Sequence, residues 1–296
     1  MIQNLAPYIW YNGQIFEKED VNLHITNYGL HYAASVFEGE RVYNGEIFKL
    51  EQHSSRLIES ARLIGMKLNY SQKEIVDATK YLVTKNQLKN AYIRPIIWQN
   101  SEFLKLLKNQ NKVNFSTNIA IIAILQEAKQ VDYSLNLYVS DWKKISPYSI
   151  PIQSKCSAQY VTASLAKSEA LSKGYDDCLL LTQDNYVAES SVSNIFFLKD
   201  KHLLTPSKSN CLFGITRNTV INEIAPKLGL TVEESPSIKL ENLKDFDESF
   251  VTGTAIEIKN IASITQKNEK YLFSNNNVTN IIRSHYFQIV GKYLNV

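Results

Sequence analysis

The strongest constraint on this chain is a pair of neighbouring stretches with different hydropathy patterns. Residues 91–98 alternate, so Tyr92, Arg94, Ile96 and Trp98 share one face of a strand. Residues 119–125 are almost wholly apolar and have to be buried. Around them lie further strand and helix signals. YIWYNGQIF and RVYNGEIF each place Asn-Gly, Asn12-Gly13 and Asn44-Gly45, where a two-residue hairpin turn needs positive φ. A helix is predicted around residues 53–64. A second begins at a capping box of Ser71 with Glu74 and continues through Ile75, Ala78 and Leu82.

The second half opens on a strand-like IPIQSK, followed by a helix from about Ala158 that stops at Lys173-Gly174. Short strands are expected around Leu179, Val187, Ile195 and Leu203. A further helix starts near Thr216, with Val220, Ile221, Ile224 and Leu228 on one side and Gly229 beyond. Gln126-Glu127-Ala128-Lys129-Gln130 has neither period and reads as a link. Strands mixed with helices in each half predict an α+β chain: a domain over 1–125, a linker over 126–135 and a domain over 136–296, with the site expected in the cleft.

The 296 residues are 44% hydrophobic, enough to bury a sizeable core. The net charge is only +3, and no lysine- or arginine-rich block is present, so nucleic acid is not an expected partner. The start lacks the basic-then-apolar layout of a signal peptide, and no apolar run reaches the roughly 18 residues of a membrane span. The expectation is a protein of the cytoplasm with no membrane partner. Three cysteines, Cys156, Cys178 and Cys211, form no CxxC pair, and five histidines are scattered, so neither a disulfide framework nor a metal is expected.

The most specific stretch is Glu189-Ser190-Ser191-Val192-Ser193-Asn194-Ile195-Phe196, then Leu203-Leu204-Thr205, then Leu212-Phe213-Gly214-Ile215-Thr216-Arg217. It resembles the signature of the class IV (fold type IV) pyridoxal-phosphate-dependent aminotransferases. HYAASVFEGER, Arg56 in HSSRLIES, and AYIRPIIW are similar to segments of the branched-chain amino acid aminotransferases. The resemblance implies a fold type IV architecture: a small N-terminal α/β domain and a larger C-terminal domain with a mixed, β-barrel-like sheet.

The resemblance also implies roles. Lys155 corresponds to the lysine that carries the cofactor as a Schiff base, and its freed amine would move the substrate proton. Glu189 would keep the cofactor ring nitrogen protonated. Tyr160 would hydrogen-bond the ring oxygen. Arg56, Ile215 and Thr216 would hold the phosphate, with Thr254. Phe37, Gly39, Tyr92 and Trp98 would line an apolar side-chain pocket. Arg41 and Arg94 would steer the substrate carboxylate, held by backbone N–H groups of Gly253, Thr254 and Ala255. Tyr32 matches a residue that in relatives reaches into the neighbouring subunit's site, implying a homodimer or higher homo-oligomer. The implied reaction is reversible amino transfer between L-leucine, L-isoleucine or L-valine and 2-oxoglutarate. The alternatives are a lyase resembling aminodeoxychorismate lyase, which shares much of the signature, another class IV pyridoxal-phosphate enzyme with altered substrate, or a catalytically silent homologue that binds a ligand or partner, which intact Lys155, Glu189, Arg56 and Thr216 argue against.

Overall fold

The computed structural model describes residues 4–101, 104, 115–126 and 133–291. The chain divides into two compact units, Met1–Lys129 with Ser154–Ala158, and Gln130–Gln153 with Gln159–Val296. The segment expected to link two domains falls largely outside the described residues.

In the first unit, β1 (Tyr8–Tyr11) and β2 (Gln14–Glu17) form a hairpin, and so do β4 (Glu40–Tyr43) and β5 (Glu46–Ile47). Both turn on Asn-Gly with positive φ, 46° and 92° at Asn12-Gly13 and 51° and 91° at Asn44-Gly45. This is the pairing that a tight hairpin requires. With β3 (Ser35–Phe37), β6 (Ala91–Asn100) and β7 (Ser116–Leu125) they make a seven-stranded sheet among the described residues, in the order β2-β1-β7-β6-β4-β5, with β3 also on β6. The helices are α1 (Tyr28–Tyr32), α2 (Leu50–Leu63) and α3 (Gln72–Lys85). The capping box of α3 is formed as the sequence predicts, Ser71 accepting from the Glu74 N–H and Glu74 from the Ser71 N–H. Leu57, Ile75, Leu82, Ile93, Ile97, Ile119 and Ile121 are fully buried. Each contributes about 1.5–3 kcal/mol by leaving water.

Register sorts β4 by face. Arg41 lies opposite Tyr92 and Glu40 opposite Ile93, and paired residues share a face. Arg41, Tyr92 and Arg94 therefore occupy one side of the sheet, and Glu40 the side of the buried Ile93.

The second unit contains β8 (Leu135–Lys143), α4 (Tyr160–Ser172), β9 (Asp177–Leu181), β10 (Val187–Ser190), β11 (Asn194–Lys199), β12 (His202–Pro206), α5 (Ile215–Thr219), β13 (Thr231–Ser235), β14 (Glu248–Gly253), β15 (Glu257–Gln266), β16 (Glu269–Leu272) and α6 (Asn277–Ile289). Among the described residues its nine-stranded sheet runs β10-β9-β8-β15-β14-β11-β12-β13, with β16 on β15. Pairs β8-β9, β8-β15 and β12-β13 are parallel and the rest antiparallel, so the sheet is mixed, as expected. Its core gathers Leu137, Leu179, Val187, Ile195, Phe197, Val251 and Ile264.

Two local expectations change. The strand expected over residues 150–155 is a turn: Pro151 has no N–H to give a ladder, and the Gln153 amide donates to Lys208 and Cys211 carbonyls at 2.6 and 2.8 Å. Only Cys156 pairs as in a strand, through a single bridge to Val36. The helix predicted from Thr216 starts as α5, then widens to π over Val220–Ile224 and tightens to 3-10 over Pro226–Leu228. Pro226 cannot donate to a continuing α-helix, and Gly229 closes the run at φ 63°.

Candidate active site

In the first unit the predicted residues gather around Lys155. The Lys155 backbone is held by its N–H on Ser60 Oγ (2.9 Å) and by its carbonyl, which accepts from Phe37 N–H (3.1 Å). Its Nζ lies 5.0 Å from the Phe37 ring centroid. Burial drives the ammonium down to about 8, opposed by the Glu38 charge and aided by Arg56. Near neutral pH a useful fraction of this amine is unprotonated, which an ordinary surface lysine cannot offer.

Phe37, Tyr92 and Arg94 form one cluster. The Arg94 guanidinium sits 4.3 Å from the Phe37 centroid and its Nη2 donates to Tyr92 Oη at 3.0 Å. Gly39 is required beside them, because a Cβ there would overlap the Tyr92 hydroxyl. Arg41 is buried over the Tyr43 ring. Trp98 stacks on Tyr11 at 5.8 Å with planes 3° apart. Tyr32 is 37% exposed and packs on Tyr28. Arg56 does not point at open solvent. Its Nε and Nη2 donate to the two carboxylate oxygens of Glu38 at 2.6 and 2.9 Å.

In the second unit Glu189 is buried at the β10 edge, and three groups serve its carboxylate. Lys144 Nζ is 2.5 Å from Oε1, while Asn194 Nδ2 and the Leu212 N–H donate to Oε2 at 3.2 and 3.3 Å. Burial alone would lower the Lys144 ammonium, but the Glu189 charge and hydrogen bond raise it, so the two meet as an ion pair. Gly214, which caps α5, is needed for the same arrangement: a Cβ would collide with Asn194 Oδ1. Ile215 and Thr216 form the first turn of α5, and Thr216 is 2% exposed. Arg217 is wholly buried, donating to the Pro206 carbonyl and to Glu234 at 2.8 and 2.7 Å. Tyr160 opens α4, and its hydroxyl bears on the charge of Lys144. Gly253, Thr254 and Ala255 lie at the end of β14 and in the turn before β15. The neighbouring Thr252 Oγ1 is buried with no hydrogen-bond partner among the described residues.

Sequence reading missed the supporting residues Glu38, His53, Lys144 and Asn194. Glu38 lies inside the FEGER segment, but its chain neighbours give no signal of burial, since most glutamates are surface residues. Lys144 had none either. Its partner lies far along the chain and only the fold joins them. The three thiols are buried and free, with Cys178 and Cys211 pushed up to about 12 by burial, which makes those two poor nucleophiles.

Comparison with known proteins completes the picture. A family model described as amino-transferase class IV matches residues 35–264. A probable branched-chain-amino-acid aminotransferase of Rickettsia bellii (strain RML369-C) is 44% identical over 288 residues, covering 97% of this chain and 98% of that protein. Among solved structures, the branched-chain amino acid aminotransferase from Thermobaculum terrenum in its PLP form matches with TM-score 0.88 at 32% identity, covering 98% and 96% of the two chains. A T.th. branched-chain amino acid aminotransferase complexed with N-(5'-phosphopyridoxyl)-L-glutamate matches with TM-score 0.88 at 31% identity, covering 99% and 96%. A family model spanning most of the sequence, a full-length relative and full-length structural matches agree: this chain belongs to the class IV aminotransferases.

Proposed function

We propose that the chain is a branched-chain amino acid transaminase that uses pyridoxal phosphate to move the amino group between L-leucine, L-isoleucine or L-valine and 2-oxoglutarate. The observation that carries this reading is Lys155, an amine lowered to about 8 by burial and set among Phe37, Tyr92, Arg94 and Arg56. The names of the relatives support the substrate class, and the phosphopyridoxyl-L-glutamate complex of one of them supports glutamate as the second amino acid.

The residues present fit the cofactor. Lys155 supplies the amine, Glu189 a buried, ion-paired carboxylate for a ring nitrogen, and Tyr160 a hydroxyl for a ring oxygen. Arg56, Ile215, Thr216 and Thr254 supply phosphate donors, and the unpartnered Thr252 Oγ1 marks a polar position beside that turn. Pyridoxal phosphate, when bound, supplies an electron sink that makes the substrate Cα–H acidic. The protein does the rest. Lys155 Nζ, whose unprotonated fraction burial enlarges, would take that proton from the substrate Cα and deliver it to the cofactor carbon. Glu189, fixed by Lys144, Asn194 and Leu212, holds a proton at the ring nitrogen. Arg41 and Arg94 attract the substrate carboxylates, while Phe37 and the space kept open by Gly39 receive an apolar side chain. Tyr32, part-exposed on α1, contributes to a partner copy's site in a homodimer.

The test follows the visible absorbance of the purified chain with pyridoxal phosphate while L-leucine and then 2-oxoglutarate are added. The expected result is a cofactor band that L-leucine abolishes and 2-oxoglutarate restores, with no interconversion in Lys155→Ala. A band indifferent to all three branched-chain amino acids would overturn the substrate assignment.

A further inference from the structure

The roles above leave Glu38 unused, yet it is among the most tightly held side chains of the first unit. It is fully buried, and four donors converge on its two oxygens. Arg56 Nε reaches Oε1 at 2.6 Å; Arg56 Nη2, His53 Nδ1 and the Gly39 N–H reach Oε2 at 2.9, 2.8 and 3.2 Å. We propose that Glu38 is a positioning residue that fixes the plane of the Arg56 guanidinium so that it meets the cofactor phosphate. The inference rests on the reading that Arg56 binds that phosphate.

The geometry argues for this role over a merely structural one. An arginine side chain has many rotamers, and a single hydrogen bond leaves its fork free to swivel. Two parallel bonds from Nε and Nη2 to one carboxylate fix both its direction and its plane. His53 is fixed in turn, donating from Nδ1 to the same carboxylate, so that oxygen cannot drift toward another partner. Burial pushes the Glu38 carboxyl up, but Arg56 and His53 hold it well below the ordinary carboxylate range, so the clamp stays charged. Burial lowers the His53 imidazole against the opposing pull of Glu38, whereas the Arg56 guanidinium is a permanent cation. Glu38→Gln replaces one acceptor oxygen with an NH2 group facing the N–H groups of Arg56 and His53. One of them must turn away.

The experiment titrates the cofactor-free chain with pyridoxamine 5'-phosphate and with pyridoxamine. The ratio of the two dissociation constants isolates what the phosphate contributes. Arg56→Met should collapse this ratio. Glu38→Gln should lower it by about tenfold, the order of loss on removing a partner that orients a metal ligand, while pyridoxamine itself binds as before. In the double variant Glu38→Gln should add nothing further. A ratio that Arg56→Met lowers but Glu38→Gln leaves unchanged or raises overturns the proposal and spares the phosphate assignment. A ratio insensitive to Arg56→Met overturns both. Should Glu38→Gln fail to fold, Glu38→Asp keeps the charge but shortens the reach, and its ratio should fall in the same direction. An unchanged ratio there overturns the proposal.

Discussion

At the scale of single residues, Glu40 is the least comfortable group in the first unit. It is fully buried on β4 opposite Ile93, and neither carboxylate oxygen has a hydrogen-bond partner among the described residues. Burial first, and then the charge of Glu38 two residues earlier, push its carboxyl well above the ordinary 4.5. In the unfolded chain the same group ionises near that ordinary value. The folded state therefore binds more protons above it, and stability falls as pH rises from about 4.5 toward the raised folded value. Glu40→Leu removes this linkage along with an unsatisfied buried polar group. Its stability advantage over the parent chain should grow from pH 5 to pH 8, reaching about 1–3 kcal/mol. Thermal unfolding of both proteins across that range measures it, and a pH-independent difference would refute the assignment of Glu40 as a neutral buried acid. Lys155 differs in that burial lowers its ammonium to about 8, the direction that suits the base role proposed for it.

At the scale of elements, α6 shows how the fold supplies what a local sequence lacks. Its N-cap Asn276 makes no side-chain cap bond. Glu248 on β14 does the capping instead, accepting from the N–H groups of Val278 and Thr279 at 3.0 and 2.7 Å and from the Thr279 hydroxyl at 2.7 Å. A carboxylate at a helix N-terminus satisfies orphan donors and complements the dipole. Glu248→Ala should cost about 2–3 kcal/mol, since several buried donors lose one charged acceptor; a urea midpoint shift with unchanged slope is the expected observation. Elsewhere the local code was sufficient. The two Asn-Gly turns, the Ser71–Glu74 box and the stop at Lys173-Gly174 are short-range devices, and each stands where the sequence places it. The strand-like reading of residues 150–155 failed because side-chain bonds from Gln153 to residues more than fifty positions away outweighed a weak local pattern.

At the scale of the whole molecule, each unit builds its own sheet, and no helix among the described residues is long and apolar enough to cross a membrane. Ser154–Ala158 belongs with the first unit although the chain on both sides belongs to the second, so Lys155 is held by Ser60 and Phe37 of the first unit. The proposed homodimer predicts that light scattering on the purified chain gives twice its 33.8 kDa mass or a multiple of that, and a monomer would remove the role given to Tyr32. By itself the sequence determined the family, through spaced residues from Glu189 to Arg217 and through FEGER, and the hairpins and caps whose causes lie within a few positions. Only the tertiary structure decided which charges meet. Glu38 finds Arg56 and His53, Lys144 finds Glu189, and Glu248 caps a helix 31 residues away. Such pairs depend on desolvation and on contacts between segments far apart in the chain, so neither residue's local neighbourhood carries their signal.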